Sequence, residues 1–141
     1  MSEGQFPVLE DISQIRKAIE ETKNQVGKSF YEKTKNGQVI FNYRFFTSKT
    51  FPNPKKAKDE KEEENLKLLR ECRGIVFDSK TGEIINRPFH KFFNINGELE
   101  ECSSKNINLS KKHYWLEKLD GSMISSIYDP NGKIRFKTKM G

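Results

Sequence analysis

The residues best suited to covalent chemistry surround Lys118, in the sequence Glu117-Lys118-Leu119-Asp120-Gly121-Ser122. A lysine amine is nucleophilic only when neutral, and an ordinary lysine, with a pKa near 10.4, is neutral in only about one molecule in a thousand near pH 7.4. Activation therefore needs desolvation or neighbouring cations. The apolar residues 114–116 predict a short strand over 114–118 that would partly desolvate the amine, whereas the carboxylate of Asp120 would favour the ammonium form. Gly121 lets the backbone turn close to a bound group, because it has no Cβ.

Basic residues are concentrated at the end of the chain. Residues 102–141 contain eight Lys and Arg side chains and three acidic ones, whereas the whole chain of 141 residues carries a net charge of +6. Clustered cations favour a polyanionic partner, because neutralising its phosphates releases counterions. A solvated basic surface would explain the same counts, and charge alone leaves both interpretations open.

Composition limits the class of protein. Only 33% of the residues are hydrophobic and 33% are charged, so eleven Phe and four Tyr must supply much of the core. No apolar run is long enough to span a bilayer and the polar N-terminus lacks a signal-peptide pattern, which predicts a soluble, intracellular protein with no membrane partner. Cys72 and Cys102 have no Cys-x-x-Cys spacing, so we predict reduced, part-buried thiols and assign no metal ligands.

The first half of the chain predicts helices and one strand. Apolar residues recur at helical spacing from Val8 to Val26, which predicts an amphipathic helix over about 8–26. Residues 39–46 have the composition of a strand, and the prolines within 51–54 predict a loop. Residues 55–70 are rich in Lys and Glu, which is typical of a solvated helix or a partly disordered insertion docked at its C-terminal end.

The second half, residues 74–141, predicts β-structure. Residues 74–78 and 83–87 flank a good hairpin turn, and residues 122–128 and 133–139 flank Asp129-Pro130-Asn131-Gly132, the strongest turn signal in the chain. Alternation in the last strand places Ile134 and Phe136 on one face and Lys133, Arg135, Lys137 and Lys139 on the other. The predicted fold class is α+β, with N-terminal helices and an antiparallel β-sheet.

The Lys118 motif is one of four sequence blocks. In chain order they are Glu71–Phe77 (ECRGIVF), Arg87–Asn94 (RPFHKFFN), Lys118–Ser122 (KLDGS) and Phe136–Lys139 (FKTK). Lys-x-Asp-Gly matches the motif of covalent nucleotidyltransferases, and the four blocks together resemble the phage-type RNA ligase 1 family over about residues 39–141. The resemblance implies an ATP- and Mg²⁺-dependent enzyme that joins 5′-phosphate and 3′-hydroxyl RNA ends through lysyl-AMP and RNA-adenylate intermediates, in repair of RNA and of cleaved tRNA.

The resemblance also implies roles for individual residues. Lys118 aligns with the adenylated lysine, with Asp120 as a supporting residue of the same motif. The predicted nucleotide-binding residues are Tyr43 near the triphosphate, Arg73 on the nucleotide or its phosphates, Lys91 and Phe93 in the ATP pocket, Gly121 beside the lysine, and Lys139 as a basic residue of the site.

Purely structural roles would fit several of these residues. Phe92 and Phe93 would both suit a hydrophobic core, which is our preferred role for Phe92. Arg73 would suit a cap on the preceding helix, and Lys139 would suit a solvated basic face. The resemblance, rather than local pattern, favours a functional role for Arg73, Phe93 and Lys139.

The family's metal-binding acidic residues and paired phosphate-binding lysines would be expected beyond Gly141. We therefore expect residues 1–141 to be the N-terminal portion of an adenylation domain, with a further ligase portion as a partner and without RNA sealing by the chain alone. One alternative is a non-catalytic RNA-binding remnant that uses the basic strand 133–139, and another is one half of a split ligase. A DNA ligase or a GTP-using capping enzyme is a further alternative, which the block at 87–94 disfavours.

Overall fold

The computed structural model describes residues 6–141, so that residues 1–5 of the predicted 1–141 domain lie outside the described residues. Two helices come first, α1 (Ile12–Glu21) and α2 (Lys23–Val26), followed by β1 (Phe30–Lys35) and β2 (Gln38–Tyr43). The third helix, α3 (Glu60–Leu69), precedes β3 (Ile75–Asp78) and β4 (Ile84–Asn86). The last two strands are β5 (Ser125–Tyr128) and β6 (Ile134–Lys137), and short 3₁₀ turns occur at Pro54–Lys56 and Glu100–Cys102.

The strands form two antiparallel sheets, and the predicted α+β class is confirmed. The first sheet has four strands in the order β1-β2-β3-β4, and the second consists of β5 and β6. Asn86 Nδ2 donates to the Ser126 carbonyl over 2.9 Å, which holds the second sheet beside the end of β4. Both hairpins predicted from their turn signals are present.

Helices α1 and α3 cover one face of the four-stranded sheet. Ile15 and Leu69 from the helices share a buried core with Phe41 of β2 and Phe77 of β3. Alternation along β2 directs Ile40 and Asn42 to the opposite face. There the Asn42 side chain donates to the carbonyl of Lys139 over 3.1 Å, so the segment after β6 lies against this second face.

The N-terminal helix is shorter than predicted. It begins at Ile12 because the Asp11 side chain accepts a hydrogen bond from the Ser13 N–H while Gln14 reaches back to the Asp11 N–H, which forms a capping box. Val8 lies before this cap and is exposed. The helix is interrupted at Thr22, whose buried hydroxyl donates to the Ala18 carbonyl.

The charged segment is an ordered helix. Asp59 caps α3, and its first turn contains three glutamates. Their negative charges interact favourably with the positive end of the helix dipole. Leu66, Leu68 and Leu69 are buried, which confirms the predicted docking of its C-terminal end.

Strand β1 was not predicted, because its sequence is mostly polar. Only Phe30 among its residues is buried. Its signal was Asn36-Gly37, a two-residue turn in which both residues have positive φ.

Two other strand predictions differ from the structure. Strand β2 ends at Tyr43 rather than at residue 46, and the predicted strand over 114–118 is absent. The latter prediction was wrong because apolar composition alone does not make a strand, and none of the strands in residues 6–141 pairs with this segment. None of the helices in the described residues has the length and apolar character needed to cross a bilayer.

The last hairpin shows the predicted alternation but not the usual burial. Ser126 and Tyr128 lie opposite Phe136 and Ile134 on one face. Tyr128, Ile134 and Phe136 are exposed, whereas Lys137 on the other face is buried.

We predict that Phe77→Ala lowers the free energy of unfolding by about 3–5 kcal/mol, because Phe77 is fully buried and meets the Phe41 ring edge-on at 5.7 Å. Phe89→Ala is the matched control, since 70% of the Phe89 surface is exposed, and it should change stability by less than about 0.5 kcal/mol. Urea denaturation followed by circular dichroism measures both values, and similar losses in the two variants would contradict this description of the core.

Candidate functional site

A cluster of cations and aromatic rings lies at the end of β2. Lys139 Nζ lies 3.9 Å from the centre of the Tyr43 ring, and Lys91 Nζ lies 5.9 Å from the same ring. Arg73 and Lys139 are both close enough to Lys91 to affect its ionisation. Four of the predicted binding residues, from four distant segments, are therefore brought together.

Lys91 is held in place at both ends. Its backbone N–H donates to the Arg70 carbonyl over 2.7 Å, and its Nζ donates to the Phe92 carbonyl over 2.8 Å. The ammonium group lies 4.7 Å from the centre of the Phe46 ring and 5.0 Å from that of Phe93. Cation–π contacts of this kind attract a positive charge into a partly desolvated environment.

The electrostatic environment of Lys91 disfavours its charge. Burial lowers the pKa of Lys91; Tyr43 opposes this shift, and the cations Arg73 and Lys139 add to it. Like charges held near one another in a partly buried site repel, and a bound anion would relieve that repulsion. The arrangement is therefore suited to a ligand with several negative charges.

Arg73 has an unused donor. Its guanidinium carbon lies 4.8 Å from the centre of the Phe92 ring, and its Nη1 is buried without a hydrogen-bond partner among the described residues. A buried guanidinium N–H without an acceptor is unfavourable, and a phosphate oxygen is a strong acceptor for it. Arg73 is thus suited to bind an anion, rather than only to cap α3.

Lys139 is positioned by a close approach of two backbones. Gly74 has a φ of +88°, and a Cβ on it would lie 2.7 Å from the Lys139 carbonyl oxygen. Lys137 Nζ donates to the Gly74 carbonyl over 2.9 Å, and burial lowers the pKa of Lys137. Sequence reasoning assigned no role to Asn42, Gly74 or Lys137, although the glycine directly after Arg73 was a usable signal.

Phe92 and Phe93 have opposite surroundings. Phe93 packs against Phe46 and Phe51, with ring centres 5.9 and 5.8 Å apart, and is part-buried beside the core. Phe92 is 57% exposed, so the preference for a core role at Phe92 was wrong. Successive side chains point in opposite directions along this extended segment, and of the two rings only Phe93 faces the core.

A cavity of about 350 Å³ borders both rings, and Phe46, Lys91, Asn94 and Glu98 also line it.

Lys118 lies outside this cluster. Lys118, Asp120 and Gly121 are exposed, and among residues 6–141 Lys118 makes no hydrogen bond or ion pair. The neighbouring Trp115 and Leu116 are 79% and 86% exposed, so the predicted desolvation of Lys118 by a flanking strand is not observed. Gly121 does adopt a positive φ, +123°, which favours glycine.

Residues 71–141 match the sequence profile of an RNA ligase family, the T4 RNA ligase 1 type. This range contains every predicted site residue except Tyr43. The chain belongs to the RNA ligase family.

Individual relatives agree with the family match. The chain is 35% identical over 126 residues to a protein of Thermovibrio ammonificans named "Putative RNA ligase", an alignment that covers 89% of this chain and 28% of that protein. It is 36% identical over 78 residues to RNA ligase 1 of Bacteriophage TS2126, covering 53% of this chain and 20% of the phage protein. The chain thus spans about a quarter of the length of these relatives. The first alignment also extends the relationship into the N-terminal helices, further than the sequence blocks indicated.

The described residues bear on where the Mg²⁺ that the sequence resemblance implies would be held. They contain no group of three His, Cys, Asp or Glu side chains placed to hold a metal ion. Cys72 and Cys102 are both free thiols, as predicted, and burial raises the pKa of Cys72. The functional groups gathered at the Tyr43 cluster are cations and aromatic rings.

Strand β6 does not present the continuous basic face that a non-catalytic RNA-binding module would use. Lys137 is buried, and Lys139 stands over Tyr43. Arg135 pairs with Asp129 over 3.2 Å. Lys139 is thus directed to the Tyr43 cluster, whereas Lys133 and Arg135 remain exposed.

We predict that Lys91→Met stabilises the protein at pH 7, because it removes an unfavourably placed charge from the site. Since the pKa of Lys91 is lowered in the folded state, its unfavourable effect is complete below the folded pKa and fades as pH rises towards the ordinary value of about 10.4. The difference in the free energy of unfolding between the variant and the wild type should therefore become smaller between pH 7 and 10.

Urea denaturation across that pH range measures this difference. Lys33→Met, at an exposed position of β1, is the control and should show no such pH dependence. A variant that is no more stable than wild type at pH 7 would contradict the description of Lys91 as electrostatically strained.

Proposed function

We propose that this protein supplies the nucleotide-binding part of an ATP-dependent RNA ligase, in which Lys118 becomes adenylated. The observation that carries the proposal is the convergence of Arg73, Lys91 and Lys139 beside Tyr43 in a chain of this family. Three cations from three distant segments offset most of the charge of a triphosphate, and a planar guanidinium with a free N–H suits its oxygens.

The aromatic residues support a nucleotide rather than a simple anion. The cavity of about 350 Å³ beside Phe92 and Phe93 lies within the size range of small-molecule sites and can accept a planar base. Its neighbour Lys91 would bind the phosphates of the same molecule. Adenine against Phe93 and phosphates on Arg73, Lys91 and Lys139 is the binding mode we propose for ATP.

The proposed chemistry begins with attack of the neutral Lys118 Nζ on the α-phosphorus of ATP. A P–N bond forms, the bond from the α-phosphorus to the pyrophosphate oxygen breaks, and pyrophosphate leaves with its electron pair as the amine gives up a proton. An oxygen of the RNA 5′-phosphate would then attack the phosphorus of the bound AMP and break the P–N bond, which returns Lys118 as a free amine. An RNA 3′-hydroxyl would attack the activated 5′-phosphorus and give up its proton, so that a phosphodiester bond forms and AMP leaves with the electron pair of the broken phosphoanhydride bond. The cations would stabilise the charge that develops on the departing pyrophosphate. Mg²⁺, when bound, would supply further neutralisation of the triphosphate charge.

RNA ends, including those of cleaved tRNA, are the substrates that we propose from the family. A further ligase portion is the proposed source of metal-binding carboxylates and additional lysines. The role of Lys118 rests on its Lys-x-Asp-Gly motif and on the family match, because the described residues do not bring Lys118 to the cation cluster.

We predict that Lys118 is the only residue that becomes covalently labelled. The protein, alone or extended at its C-terminus, is incubated with α-³²P-labelled ATP and Mg²⁺ and then separated on a denaturing gel. Lys118→Ala should lose all label, because the phosphoramidate has no other acceptor. Lys112→Ala, at another exposed lysine six positions earlier, is the control and should be labelled like the wild type. Label that persists in Lys118→Ala of a labelled preparation would refute the assignment.

We further predict that ATP labels the protein at least about tenfold better than GTP, a difference that roughly one well-placed base contact would produce. Parallel reactions with the two α-labelled nucleotides measure the ratio. Equal or stronger labelling by GTP would favour the capping-enzyme alternative over an RNA ligase.

A further inference from the structure

A bidentate ion pair joins the two sequence blocks that contain Arg73 and Lys91. Arg87 Nε donates to Glu71 Oε2 over 3.0 Å, and Arg87 Nη2 donates to Glu71 Oε1 over 2.9 Å. The Glu71 side chain is 3% exposed, and that of Arg87 is 32% exposed. Arg87 Nη2 also donates to the Pro7 carbonyl over 3.0 Å.

The pair lies directly beside the residues of the proposed phosphate site. The Arg73 N–H donates to the Glu71 carbonyl over 2.7 Å, so the backbone turns tightly between the two side chains. The fully buried Cys72 lies between them. Four residues beyond Arg87, the Lys91 N–H donates to the carbonyl of Arg70, which is the neighbour of Glu71. Residues 70–73 and 87–91 are thus connected twice, once through side chains and once through backbone.

A surface ion pair would not restrain the backbone in this way. Exposed pairs contribute little, because solvent screens them and each side chain loses freedom. A carboxylate as buried as Glu71 must keep its partner, and a two-pronged guanidinium fixes distance and direction together. The Arg16–Glu32 pair provides a comparison within the same chain. It has the same bidentate form, but its side chains are 51% and 39% exposed and it joins α1 to β1.

We infer that the Glu71–Arg87 pair is a positioning pair for nucleotide binding, which sets Arg73 against Lys91 at the spacing that a polyphosphate requires. This inference rests on the proposed function, because it assumes that Arg73 and Lys91 bind phosphate. Neither Glu71 nor Arg87 needs to touch the ligand. Replacing the fork of Arg87 by a lysine ammonium keeps the charge and loses the two-point restraint.

The test compares Arg87→Lys with Arg16→Lys, the same substitution in the exposed bidentate pair. Isothermal titration calorimetry measures the affinity of the 141-residue protein for ATP, inorganic tripolyphosphate and adenosine. Arg87→Lys should weaken binding of ATP and tripolyphosphate by about tenfold, as expected when one charged contact is misplaced, and should leave adenosine affinity within about twofold. Arg16→Lys should change none of the three affinities. A purely structural role would lower all three together or none.

Arg73→Ala separates failure of this inference from failure of the proposed function. If wild type and Arg73→Ala bind tripolyphosphate equally, the proposed phosphate site is wrong, whatever Arg87 does. If Arg73→Ala loses affinity while folded Arg87→Lys and Glu71→Gln retain it, the site stands and the positioning role is overturned. Urea denaturation establishes that each variant is folded at 25 °C. Unfolding of both pair variants would make the pair a determinant of folding and would also overturn the inference.

Discussion

The geometry of the site depends on the close approach of residues 137–139 to Gly74. The Lys139 carbonyl lies where a side chain on residue 74 would be, and the buried Lys137 ammonium donates to the Gly74 carbonyl. Asn42 fixes the same Lys139 carbonyl from β2. These contacts join three segments that are far apart in sequence, and each segment contributes one member of the cluster: Tyr43 follows Asn42, Arg73 precedes Gly74, and Lys139 follows Lys137. The close approach of residues 137–139 to Gly74 therefore holds Lys139 over the Tyr43 ring.

The same geometry concentrates unfavourable electrostatics. Lys91, Arg73 and Lys139 share one neighbourhood, and the buried Lys137 lies close to it. Folding must bring these like charges together with a guanidinium N–H still lacking an acceptor. The apolar packing of α1 and α3 on β2 and β3, with fully buried side chains such as Phe41 and Phe77, is the favourable term that offsets this arrangement.

Short-range signals predicted much of the fold. The turns at 79–82 and 129–132 correctly gave two hairpins, and the late leucines of residues 55–70 gave the docked end of α3. Strand β1 was missed because its sequence is mostly polar, even though Asn36-Gly37 marks its turn. Of the residues that the resemblance selected, the structure brings Tyr43, Arg73, Lys91 and Lys139 together and leaves Lys118 outside their cluster, whereas the residues that hold the four were not found from sequence. The contacts of Asn42 with Lys139 and of Lys137 with Gly74 span 97 and 63 positions, and no local pattern encodes such pairs.

The reversed burial of β6 follows from the same long-range contacts. Binary patterning would bury Ile134 and Phe136 and expose Lys137, since alternation places them on opposite faces. The observed strand does the reverse: Ile134 and Phe136 are exposed, and the buried face carries Lys137, whose ammonium donates to the Gly74 carbonyl, together with Ile127 of β5. A one-residue shift of register would restore the usual pattern, but it would also turn Lys137 away from this partner. The face of the hairpin that packs against the sheet therefore combines an apolar side chain, Ile127, with the Lys137 ammonium.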